Sequence, residues 1–228
     1  MEKLLEYLRV VPPVVEFFFA LLTRPKQFLI EAIDPTEENW TNALLYYAVA
    51  VCAVTFWIAD GTSIYAIMLA FCGYFFVVVI MTVFVATAWR LVGQPISAPK
   101  AAIWALYAFP TMALLWAPFL EMGLTIVNSI EALATPGHPT GLLRQRHLIV
   151  GNDQITQLML AIGLFALGLG ITFAWLIAAW GALRAAAASH RMRSLAACVI
   201  FLTLSSASFA VYDYSLTAFY PQTIDYRR

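Results

Sequence analysis

Charge is what this sequence has least of. Asp, Glu, Lys and Arg make up 11% of its 228 residues, against about a quarter in soluble domains. The thirteen acidic and thirteen basic side chains cancel. No net field or basic run therefore draws the chain to nucleic acid. Histidine is scarce too: His138, His147 and His190 all lie between apolar stretches, which argues against haem ligated inside a helical bundle. The spacing of His138 and His147 matches no common metal site. Cys52, Cys72 and Cys198 are single residues within apolar runs, without a CxxC pair, and read as small hydrophobes. There is no HExxH, no GxSxG elbow and no glycine-rich phosphate loop. The expectation is a protein that is not an enzyme, with no catalytic residues, no cofactor and no metal. A cleavable leader is not expected either, because Glu2, Lys3 and Glu6 precede a short apolar stretch broken by Pro12 and Pro13.

What is abundant is hydrophobicity: 62% of residues and a mean hydropathy of +0.81. A soluble fold of this length could not hide that much apolar surface, so the reading is an all-α integral membrane protein. A span needs about 20 apolar residues. Five stretches serve: Ala43 to Ala59, Ile64 to Trp89, Ala101 past Leu120, Ile155 to Leu183 and Leu195 to Tyr212. The third holds Pro110 and Pro118, with Glu121 near its exit, and is read as one kinked span. With the N-terminus in the cytoplasm, nine of the thirteen basic residues fall on the cytoplasmic side, giving an N-in/C-out topology.

Residues 1–40 are expected to form a cytoplasmic amphipathic segment, 41–213 the five-span domain and 214–228 a short polar C-terminal tail. In the first, Thr23 is the expected N-cap of an interfacial helix with Pro25 in its first turn. That region lies along the membrane surface, with a partly buried hairpin as the alternative. The connection from Asn128 to Gln154 is the one long loop, either a lid or a functional element. Ala86-Thr-Ala-Trp89 and Ile177-Ala-Ala-Trp180 echo each other at two span ends. They mark either related hairpins or, by the preferred reading, interfacial tryptophan anchors.

The clearest pattern is a small-residue stripe on the fourth span: Ala166, Gly170, Ala174, Ala178 and Ala182, every fourth residue. Such a stripe lets another helix approach closely. Its partner is expected within this chain, with Ser205, Ser206 and Ser208 of the fifth span as facing hydrogen-bonding groups, or else in another subunit. Pro110, Pro118 and Glu121 form a second candidate site, a kink able to move.

Four short segments carry a family likeness: Leu22-Thr-Arg-Pro-Lys-Gln-Phe28, Trp40-Thr-Asn-Ala-Leu-Leu-Tyr-Tyr47, Val92-Gly-Gln-Pro95 and Ala105-Leu-Tyr-Ala-Phe-Pro110. Together they resemble the Yip (Ypt-interacting protein) domain family, whose members have five spans and a cytoplasmic N-terminus. The chain lacks the long hydrophilic domain and the Asp-Leu-Tyr-Gly-Pro motif of the GTPase-binding members, and looks more like a short prokaryotic member. The resemblance implies a fold and no defined activity. The function expected is a scaffold or accessory subunit of the bacterial inner membrane, whose partners are membrane lipids and other integral membrane subunits. The alternative is a small transporter or lipid-handling protein that uses the kinked third span.

Overall fold

Proline or glycine marks every described corner of this chain but the one between α6 and α7. A computed structural model describes residues 11–58, 64–134 and 154–219. Among them the fold is all-helical: α1 (Val11–Thr23), α2 (Pro25–Ala32), α3 (Glu37–Ile58), α4 (Ile64–Leu91), α5 (Ala98–Ala134), α6 (Gln154–Ala186) and α7 (Arg191–Phe219). By length and composition two segments suffice to cross a membrane, Phe71–Leu91 of α4 and Leu158–Ala186 of α6.

Only Arg24 separates α1 from α2. Its backbone is pushed out of the helical region, to φ −138° and ψ 56°, as expected for the residue before a proline. Thr23 is not the cap that the sequence suggested. Its hydroxyl donates to the Phe19 carbonyl at 2.7 Å and closes α1, while Arg24 occupies the N-cap of α2 without a side-chain bond. By contrast α3 is capped in the ordinary way. Thr36 Oγ1 accepts from the Asn39 N–H at 3.2 Å, and Glu37 and Glu38 sit at the positive end of the helix.

Two corners share one construction. At the end of α4, Gly93 has φ +74°, its N–H donates to Arg90 O, and the Gln94 N–H donates to Trp89 O. At the end of α6, Ala188 has φ +47°, its N–H donates to Ala185 O, and the Ser189 N–H donates to Arg184 O. Both are Schellman caps, which satisfy the last carbonyls of a helix. Gln94 ties the corners together. With its amide turned to suit both neighbours, it donates to Ala187 O at 3.1 Å and accepts from Arg193 Nη1 at 2.8 Å. The Lys100–Asp34 ion pair, 2.8 Å, brings the α2–α3 connection to the same end.

The hub is α5, which packs against α3, α4 and α6. Ile103 to Ala108 are buried on every face of it, as suits a helix surrounded by others. An aromatic ladder joins four helices: Phe17–Phe28 at 5.8 Å, Phe28–Tyr107 at 5.2 Å and Tyr107–Tyr46 at 5.2 Å between centroids. The α1–α2 pair is thus docked into the bundle, with Leu21 and Leu29 fully buried. Trp175 Nε1 of α6 donates to the Leu21 carbonyl at 2.9 Å and satisfies the end of α1. The outer faces of α4, α6 and α7 remain apolar, with Phe76, Val83, Leu167, Phe173, Ile177 and Val199 exposed.

Candidate functional site

Both prolines of the candidate kink lie inside one continuous helix, α5. Each removes a backbone donor, freeing the carbonyls of Leu106 and Leu114. Beside Pro110, Thr111 Oγ1 donates to the Tyr107 carbonyl at 2.7 Å. Thr111 has then used its proton, so Tyr46 must be the donor in the 2.6 Å contact between the two hydroxyls. This buried relay locks α3 to α5 where the helix has lost a bond. Pro110 is buried and Pro118 is exposed, so the two do not converge on one pocket. The side chain of Glu121 lies outside the described residues.

The cavity nearest this segment lies between α4, α5, α6 and α7. Its volume is about 160 Å³, and Trp104, Phe109, Met112, Leu176, Phe201 and Ser205 are among its walls. Ser205 supplies its one hydroxyl, which donates to Met81 Sδ at 3.8 Å. A pocket with such an apolar lining suits an apolar guest. At its Trp104 and Phe201 walls stands a tryptophan cluster. Trp89 stacks on Trp180 (5.8 Å, 20°), and Trp104 and Phe201 meet Trp180 at 6.0 and 5.4 Å. Trp104 Nε1 donates to Ala179 O at 2.9 Å and Trp180 Nε1 to Ser194 O at 3.2 Å, while Trp89 Nε1 has no protein partner. All three indoles are buried. Trp89 and Trp180 are therefore packing residues rather than the interfacial anchors that the sequence echo suggested.

The small-residue stripe does not lie on one contact face. Ala182 is buried and Ala178 half-buried, whereas Ala174, Gly170 and Ala166 are exposed, with open space above Gly170. Close helix approach happens on roughly the opposite face of α6 instead, since two residues turn a helix by about 200°. A methyl at Gly168 would collide with the Phe119 ring, and one at Gly123 would press on Phe165 at 3.2 Å. Gly168 was missed because nothing in the sequence separates it from Gly170, two residues on. Ser205 turns to α4 and the cavity, and Ser206 and Ser208 are exposed, so these serines do not face the stripe.

Asn128 to Ala134, expected to open the long loop, belong to α5. His138, Arg144, Arg146 and His147 lie outside the described residues. Among the described residues no group of three His, Cys, Asp or Glu side chains is placed to hold a metal. What the arrangement offers chemically is apolar enclosure and close helix contact. No protein family, characterised protein or solved structure matches the chain.

Proposed function

We propose that the chain is a non-enzymatic scaffold or accessory subunit of the bacterial inner membrane, which it crosses five times through α3 to α7. The N-terminus and the α1–α2 pair lie on the cytoplasmic side, and the unit is of the Yip type. Length supports this reading. The five helices run to 22, 28, 37, 33 and 29 residues, and about 20 are enough. So does charge, because Arg90, Lys100, Arg184, Arg191 and Arg193 gather at the end that Gln94 and Asp34 tie together, as the positive-inside tendency requires.

The observation that carries the scaffold reading is the outward part of the stripe. Ala166, Gly170 and Ala174 present a smooth exposed strip on α6, with nothing of this chain over Gly170, and such strips seat a second helix at close range. A photo-crosslinking residue at Ala174 in native membranes should give a protein adduct of discrete mass, lost in Gly170→Leu. Adducts to lipid alone would contradict the reading.

The second reading, lipid handling or transport through α5, draws on the apolar cavity beside Pro110. Its test is Glu121→Gln, which removes a charge and keeps the shape. The scaffold reading expects that substitution to be nearly silent in assembly and in liposome flux, with a cost of about 0–1 kcal/mol in stability. Loss of a pH-dependent flux from a normally inserted variant would favour transport.

A further inference from the structure

We infer that the corner between α1 and α2 is a binding site for the phosphate headgroup of an anionic membrane phospholipid. The site is an open groove of about 480 Å³ against α6, lined by Arg24, Lys26, Gln27, Ile30 and Ala178 among others, and no carboxylate lines it. Both cations are exposed, and neither has an acidic partner among the described residues, where the one ion pair is Lys100–Asp34. The Lys26 stem runs beside Gly181 of α6, 3.5 Å from where a β-carbon would stand there.

The backbone adds donors to the same groove. Since α2 has no side-chain cap and Pro25 has no N–H, the first free amides are those of Lys26 and Gln27. The helical bonding of this turn begins only at the Phe28 N–H, which donates to Arg24 O. Two cations and two open amides complement a phosphate and repel a cation. The far wall decides the source of that phosphate. Ile30 and Ala178 are apolar, and α6 continues beyond the groove with Ile177 72% exposed, a surface suited to acyl chains and not to a free anion. The inference rests on the membrane reading above.

The test uses the full chain in nanodiscs of phosphatidylcholine with a minority of phosphatidylglycerol. After extraction into mild detergent, native mass spectrometry weighs the retained lipids. The wild type should keep phosphatidylglycerol in preference to phosphatidylcholine. The double variant Arg24→Gln/Lys26→Gln should lose that preference by on the order of tenfold, since both cations that attract an anionic surface are gone. Arg90→Gln/Arg191→Gln, at the same end of the bundle but outside the groove, should retain it. Equal retention of both lipids by the wild type would overturn the inference. So would an equal loss in the two double variants, or complete displacement of the lipid by excess inorganic phosphate. A chain that inserts normally but shows no lipid preference sinks the headgroup site alone. One that fails to enter the nanodisc sinks the membrane reading with it.

Discussion

The buried relay Tyr46–Thr111–Tyr107 is the most testable residue-scale feature. Tyr46→Phe removes one donor and leaves Thr111 bonded to its own helix, so thermal unfolding in detergent should show a loss of about 0.5–1.5 kcal/mol. Thr111→Val strands the Tyr46 hydroxyl without an acceptor and should cost more, about 1–3 kcal/mol. Equal small effects would mean that the tyrosine finds water or another acceptor. The sequence drew attention to Pro110 and passed over its neighbour. A threonine bonding four residues back is a local event, but its second partner lies 65 residues away, and no local pattern names it. Trp89 and Trp180 teach the same lesson. A tryptophan at a helix end looks alike whether it meets lipid headgroups or another indole. The pairing of α4 with α7, and of α5 with α6, brings these two face to face.

At the scale of elements, the two Schellman corners differ in one atom group. Gly93 adopts its positive φ freely, while Ala188 holds the same region with a β-carbon, a conformation that disfavours every residue but glycine. Ala188→Gly should therefore raise the unfolding free energy by about 0.5–1 kcal/mol, and Gly93→Ala should lower it by about 1 kcal/mol. Opposite signs from the matched pair are the diagnostic result. Along α6 the glycines should separate as cleanly. Gly168→Ala meets Phe119 and should destabilise the bundle by about 1–3 kcal/mol, whereas Gly170→Leu enters open space and should change it by less than about 0.5 kcal/mol. The helices themselves were readable from long apolar runs, but their facing was not. A stripe of period four drifts about 40° per step on a helix of 3.6 residues per turn. From Ala166 to Ala182 it turns through roughly 160°, which is why one end is buried and the other exposed. The long third span was also misjudged at its end, because Asn128-Ser-Ile-Glu131 is polar enough to resemble a loop while remaining compatible with helix.

For the molecule as a whole, the proposed topology has the Gln94 corner, the Ser189 corner and the α1–α2 pair on one side of a bilayer. The same proposal puts Thr140 on the other. An arrangement in which only α4 and α6 cross would instead leave the Ser97 and Thr140 positions on the same side, since α5 would not pass between them. Composition pointed to a membrane, and two helices long and apolar enough to cross one agree with it; the clustered cations support the proposed sidedness. The number of crossings depends on whether α3, α5 and α7, more mixed in polarity, sit in lipid with the other two. Cysteine accessibility decides this directly. With the three native cysteines replaced by alanine, Ser97→Cys, Thr140→Cys and Ser189→Cys are labelled by a membrane-impermeant maleimide in intact cells and in inverted vesicles. With five crossings, Thr140→Cys reacts in intact cells, and Ser97→Cys and Ser189→Cys react only in inverted vesicles. Labelling of Ser97→Cys and Thr140→Cys from the same side would contradict that topology.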